Sequence, residues 1–410
     1  MPENSWRKVN QNTFASVLQP ASLRPTCTSI SGPNAIINAW GGFAYDTNRG
    51  DVITFGGGHG DYCGNDVYRF RLSTSRWERA GISSQMTVYQ KSAQIQTAYP
   101  KDGFANAPAT AHMYDGLMFL TVSDRLGYFD YGASEFSGTG APTYTGLVAP
   151  RTGPWFFDPA KSDPNKVVGS SGSAVDPSIA GGRMWENREY ATRHPSSYLP
   201  SGYYGPTIST DAVCEAGKDV IYVRTSGPST VSSGLVKYVV SNISNPDLDQ
   251  LTHVGANGNH ISEADMAVDT NRLAAVVVGD STRQFVYWDL ARSGASNPMQ
   301  AVNSVQDLTG GFNLRSNAGM DFDPARDRFL LWNGESDVWE LRLPATLSPS
   351  GWTVRRIASS GGASGALAAS GGAKGKWKYA PGIDVFLGMR EAPGGDVWIY
   401  KPTGWRDPAL

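Results

Sequence analysis

Residues Ala44 to Leu72 read AYDTNRGDVITFGGGHGDYCGNDVYRFRL, and their reading decides the fold. A short strand ends in the turn Asp46-Thr47-Asn48-Arg49, and an apolar strand, Val52 to Phe55, follows it. A glycine run with His59 comes next, then a third strand, Val67 to Leu72, and Trp77 opens a fourth. Four antiparallel strands within about 40 residues is the size of one β-propeller blade. A chain built on this unit repeats it and carries its function in the loops at the blade ends.

The repeat can be followed by its turn. Asp46-Thr47-Asn48-Arg49 recurs as Asp269-Thr270-Asn271-Arg272, Asp323-Pro324-Ala325-Arg326 and Asp158-Pro159-Ala160-Lys161. Looser copies are Tyr114-Asp115-Gly116, Glu215-Ala216-Gly217 and Tyr379-Ala380-Pro381-Gly382. An apolar run follows each, as a tight hairpin between two buried strands requires. Third strands recur in step: DVYRF at Asp66, GYFDY at Gly127, RMWEN at Arg183, LVKYVV at Leu235, FVYWDL at Phe285, DVWELRL at Asp337 and DVWIY at Asp396. The anchors at 46, 115, 158, 215, 269, 323 and 380 lie about 56 residues apart on average, close to the ~50 of kelch-type blades.

The expected architecture is a single all-β domain over 1–410, a seven-bladed propeller. Its blades are placed at 40–80, 109–150, 151–204, 205–256, 262–306, 316–358 and 375–401. The last blade lacks a fourth strand, and Ser5-Trp6-Arg7-Lys8-Val9 has the missing pattern, so residues 5–9 are expected to close the ring, with Trp405 as the rival. Six blades is the alternative if 150–200 is an insertion. Gln85 to Ala109 and Arg183 to Tyr204 depart from the repeat, and Ser359 to Lys374 reads as a Gly/Ser-rich loop.

Phe55-Gly56-Gly57-Gly58, then Val67-Tyr68, then Trp77 resembles the kelch repeat of the galactose-oxidase-like propeller superfamily. The full pattern is present in the first blade and in outline elsewhere. The resemblance implies a propeller and says far less about activity. The copper radical oxidase chemistry it suggests needs a Tyr–Cys crosslink, a second Tyr and two His. Tyr62 and Cys63, neighbours in sequence, do not supply that crosslink.

Composition narrows the function. With 47 glycines, 18% charged residues and a net charge of −2, the chain can bury a large core and offers no electrostatic attraction to nucleic acid or anionic membrane. No stretch approaches the ~20 apolar residues of a membrane span, and the N-terminus has no signal-peptide h-region. Cys27, Cys63 and Cys214 form no CxxC pair, which points away from zinc and toward free thiols of a protein made in the cytosol.

Three groups of residues stand out as binding candidates. His59, Asp61, Tyr62 and Asn65 lie in the glycine-rich loop, where backbone can approach a ligand; the same residue types also cap turns. His112, His260 and Glu263 are placed to reach a channel mouth, without metal-ligand spacing. Arg183, Trp185, Arg188, Tyr190 and Arg193 offer guanidinium forks and aromatic faces to carboxylates or sugars, or pair among themselves. No nucleotide loop, GxSxG elbow or HExxH helix is present.

The expectation is therefore a binding or structural propeller, without catalytic residues, metal or cofactor, that contacts a partner protein or a glycan. Surface-like composition without an export signal suggests assembly into a larger particle, a virion surface or attachment protein; otherwise the chain is cytoplasmic. The alternative is a glycan-processing enzyme of lyase or sugar isomerase type, with a His or Tyr base beside Arg or Lys.

Overall fold

The computed structural model describes residues 1–26, 32–58, 62–92, 95–103, 106–110, 112–129, 154–188, 209–225, 234–256, 264–279, 285–313, 317–361, 372–390 and 394–408. Short apolar runs separated by tight Asp, Asn and Gly turns fold into antiparallel hairpins, and the hairpins assemble into six sheets around one axis. The chain is a six-bladed β-propeller.

The first blade contains Ala44–Asp46, Asp51–Phe55, Val67–Arg71 and Arg76–Gly81, from the axis outward. The second contains Leu117–Leu120, Arg125–Tyr128, Trp155–Phe157 and Trp185–Asn187. The third spans Ser209–Glu215 to Gln250–Ala256, and the fourth spans Asp265–Asp269 to Gln300–Ala301. The fifth runs from Gly319–Asp323 to Trp352–Ile357, with Val305–Asp307 added in parallel at its outer edge. In the sixth, Trp377–Ala380, Val385–Met389 and Val397–Lys401 are completed by Ser5–Lys8, in register from Ser5 opposite Lys401 to Lys8 opposite Trp398. Joining the two ends of the chain in one sheet leaves the ring no open edge at this seam.

The seven-blade expectation is corrected to six, the count held as the alternative. The segments assigned to a second and a third blade make a single sheet, with Phe157 opposite both Leu126 and Trp185. Asp158-Pro159-Ala160-Lys161, read as an inner hairpin, is a 3-10 turn leaving the third strand, where Asp158 accepts from the Ala160 amide at 3.0 Å. Inner and outer hairpins need the same Asp-Pro chemistry, so the local signal does not separate them. The inner turn of this blade is Thr121 to Asp124, and Asp115 lies at the axis instead.

Large side chains fill the wedges between blades. Trp6 packs with ring centroids 5.2 Å from Trp332, 5.4 Å from Trp377 and 4.9 Å from Tyr400. The glycine run of the first blade is explained by packing as well: a Cβ on Gly58, whose φ is +54°, would lie 1.6 Å from the Ala35 carbonyl oxygen. Arginine forks tie neighbouring inner hairpins together. Arg49 spans Asp46 and Asp124, Arg272 spans Asp269 and Asp327, and Arg326 spans Asp323 and Asp384.

Free thiols are corrected in part. Cys63 is disulfide-bonded, whereas Cys214 is free and exposed. Cys27, the remaining cysteine of the sequence, lies outside the described residues. Among the described residues no helix is long and apolar enough to cross a membrane.

Candidate functional site

The innermost strands bring charged side chains to the axis. Asp115, Asp211, Asp265 and Asp321 come from the second to fifth blades, and Lys378 from the sixth. The Lys378 ammonium is 3.1 Å from Asp115 Oδ1. Each carboxylate also accepts from the backbone of another blade. Asp211 accepts from Val268 at 2.7 Å, Asp265 from Met320 at 3.1 Å, Asp321 from Tyr379 at 2.6 Å and Asp115 from Met266 at 3.0 Å. These bonds fix the blades against one another where their strands are closest.

Asp115 and Asp265 are buried and Asp211, Asp321 and Lys378 are half-buried, and four carboxylates gathered around one close ammonium with so little water cannot all stay ionised cheaply. Burial pushes Asp211 up to about 7, aided by Asp321, and burial pushes Asp321 up to about 6. Asp265 is held well above the usual range by burial and by Asp115. Burial works against the Lys378 ammonium, yet the surrounding carboxylates raise its pKa overall. Arg224, buried nearby, is lowered to about 10 by burial, with Asp115 opposing.

On the inner-hairpin side the channel widens into a cavity of about 470 Å³. Its floor is Asp211, Asp321 and Lys378. Its walls include Tyr45, Met118, Phe119, Phe322 and Tyr379, with Thr47, Thr121, Thr270 and Cys214 toward the turns. Toward the opposite face the axis is crossed by Ala373 to Lys376. There the Gly375 carbonyl accepts from Phe43 at 2.9 Å, its amide donates to Asp265 at 3.2 Å, and Ala373 donates to Asn317 at 2.7 Å. A Cβ on Gly375, at φ +65°, would meet the Tyr114 carbonyl oxygen at 1.9 Å, so this crossing needs glycine. The cavity is therefore a funnel with a charged floor rather than an open pore. Among the described residues no group of three or more His, Cys, Asp or Glu is placed to hold a metal ion.

The residues singled out in the sequence are distributed differently. His59, Asp61, Tyr190, Arg193, His260 and Glu263 lie outside the described residues. Tyr62 is buried and its hydroxyl takes the Gln19 amide at 2.6 Å. Asn65 is buried, bonding Ser84 N at 2.8 Å and Pro108 O at 2.9 Å. Trp185 packs in the core 4.8 Å from Phe55, and Arg188 is buried between Asp249, Glu186 and the Ile243 and Asn242 carbonyls. Arg183 is exposed and lines a second cavity, about 380 Å³, with Arg125, Lys161 and Asp158. His112 stands at the mouth opposite the funnel, against Trp40 and Tyr114.

The funnel residues were missed in the sequence because Asp211, Asp321 and Lys378 sit inside strands and carry no motif. Their signal was a charged residue in an apolar inner strand, as in Met320-Asp321-Phe322 and Trp377-Lys378-Tyr379.

A six-bladed propeller with a blind axial funnel is the class these features define. No family model matches the sequence, and no curated protein matches it. Among solved structures it is similar to an auxiliary nutrient binding protein from Bacteroides thetaiotaomicron, at 7% identity and a TM-score of 0.35, over 82% of this chain and 71% of that one. So remote a likeness bears on neither the ligand nor the site.

Proposed function

We propose that this chain is a non-enzymatic binding propeller whose ligand enters the axial funnel. The observation that carries the reading is the funnel itself: aromatic and aliphatic walls converge on Asp211, Asp321 and Lys378 at its floor. Such a cavity, with few polar groups and shifted pKa values at its base, is the form small-molecule sites take. The ligand has an apolar body and a polar head that both donates and accepts hydrogen bonds, because the floor holds an ammonium beside carboxyl groups that are partly protonated near neutral pH.

The glycan-processing alternative, a His or Tyr base beside Arg or Lys, would have Tyr45 or Tyr379 beside Lys378 in this funnel, and the Tyr379 hydroxyl is already donated to Asp384 at 2.6 Å. A kelch-like ancestry remains part of the proposal, supported by Phe55-Gly56-Gly57-Gly58, Val67-Tyr68 and Trp77. The Cys63 disulfide supports work in an oxidising compartment. A virion or attachment role rests on composition alone, and no funnel residue selects such a partner.

Cys214 lines the cavity and is exposed, which provides the test. A disulfide-tethering screen of small thiol fragments, with amine, hydroxyl or carboxylate heads, is expected to select fragments on Cys214. The same fragments are expected to be lost in Ala212→Trp, which fills the cavity. Equal capture by both proteins, with Cys214→Ser as the blank, would sink the reading.

A further inference from the structure

The four axial carboxylates are not equally engaged. Asp115 takes the Lys378 ammonium at 3.1 Å and the Met266 amide at 3.0 Å, and the buried Arg224 adds attraction from nearby. Asp265 is buried against the crossing segment, where it accepts from the Met320 amide at 3.1 Å and the Gly375 amide at 3.2 Å. Asp211 and Asp321 differ from both, because they line the cavity. Asp211 accepts from the amides of Ala212 at 2.8 Å and Val268 at 2.7 Å. Asp321 accepts from those of Phe322 at 2.8 Å and Tyr379 at 2.6 Å. Each of these oxygens holds one amide and keeps a second lone pair. Lys378 is the cation that acts on both, and its close contact is spent on Asp115. Among the described residues neither Asp211 nor Asp321 forms an ion pair of its own.

Walls and floor agree on what completes them. The rings of Tyr45, Phe119, Phe322 and Tyr379 stand around the two carboxylates, with Met118 and Val268 beside them. Aromatic rings offer area to an apolar body and their faces to an organic cation. Burial raises both carboxyl groups, with Asp321 also raising Asp211, and an opposite charge at the floor offsets that cost. A ligand carboxylate would instead meet four acidic groups with one close ammonium among them.

We propose that the funnel takes a primary amine with an apolar, aromatic-sized body and a neighbouring hydroxyl, an assignment that rests on the reading of the funnel as the binding site. The ammonium donates to Asp211 and Asp321. The hydroxyl accepts from Lys378, which has N–H groups beyond the one it gives Asp115, and the body packs among the rings.

The experiment is disulfide tethering at Cys214 of the full chain with three fragments that share one phenylpropyl body and linker. One ends in an amino alcohol, one in the matching diol and one in the matching hydroxy acid. Near neutral pH the amino alcohol is expected to hold against about tenfold more competing 2-mercaptoethanol than the diol, the gain of a charged hydrogen bond, and the hydroxy acid to hold least. Asp211→Asn and Asp321→Asn are each expected to remove most of that margin while still capturing the diol. Ala212→Trp is expected to lose all three fragments. Equal retention of amino alcohol and diol by the parent, with both lost in Ala212→Trp, overturns the amine and leaves the funnel standing. A margin that survives in Ala212→Trp arises outside the funnel and overturns the amine as well. So does a margin unchanged in the Asp→Asn variants, either of which carries the test if the other does not fold. Capture of no fragment, or equal capture of all three by parent and Ala212→Trp, removes the funnel reading and the amine with it.

Discussion

Asp124 and Asp384 do the same job in different surroundings. Each sits in left-handed backbone at the inner hairpin, with φ +56° and +54°, and each receives an arginine fork from the preceding blade. Asp384 and its partner Arg326 are 7% and 8% exposed, and Asp384 also takes the Tyr379 hydroxyl at 2.6 Å. Asp124 and Arg49 are 34% and 25% exposed. Removing Asp384 leaves the buried Arg326 with Asp323 alone and strips the Tyr379 hydroxyl of its acceptor, so Asp384→Ala is expected to cost about 3 kcal/mol. Asp124→Ala is expected to cost about 1 kcal/mol, since water already screens that pair. The backbone penalty is the same at both sites, so the difference in urea-unfolding free energy reports the pairing. Equal losses would show that burial of the pair is not what matters. The Asp and Arg of these turns were legible in the sequence; which acidic residue in the next blade they would grip was not.

At the scale of the element, the seam between Ser5–Lys8 and Val397–Lys401 holds the ring shut. Trp6 is its anchor, buried among Trp332, Trp377 and Tyr400, with its indole N–H donated to the Ser336 carbonyl at 2.7 Å. Trp6→Ala is expected to cost about 3–5 kcal/mol, the range for emptying a buried aromatic site. A freed Val397–Lys401 edge should also associate, read as a larger species in size-exclusion chromatography. An unchanged melting temperature and a monomer would show that the seam is not needed. The pattern Trp-Arg-Lys marked this strand in the sequence because the closing strand carries the same signal as other fourth strands. The strands Trp155–Phe157 and Trp185–Asn187 were misassigned for the opposite reason. Their apolar content fits any buried position, and only pairing with Arg125–Tyr128 makes them the outer half of a blade.

For the whole molecule, the axial charges set a pH dependence. Asp211, Asp265 and Asp321 have folded pKa values raised above the ordinary carboxylate range near 4. The native state therefore binds more protons than the unfolded chain between about pH 4 and 7. Stability from this cluster is fully present below the unfolded pKa and is lost as pH rises through that window. Below it the sign reverses, because the arginine-paired Asp327 is lowered to about 2 and Asp124 and Asp384 are also lowered, so their contribution disappears in acid. The melting temperature is expected to fall from pH 5 to pH 8, and Asp321→Asn to flatten that slope. A slope unchanged in Asp321→Asn would place its origin elsewhere.

The sequence by itself determined the class of fold. Repeated Asp-x-x-Arg turns, apolar runs of strand length and tryptophans at the fourth strands are local signals, and local signals specify hairpins and blades. The blade count, the pairing of Cys63 and the charged axis were decided only by tertiary structure. Asp211, Asp321 and Lys378 are separated by more than a blade in sequence and meet because closing the ring brings every first strand to one axis. Trp40, Tyr114 and Lys374 meet for the same reason, where blades one, two and six converge. Periodicity reports which residues face inward along a strand; which inward residues face one another depends on how many blades complete the circle.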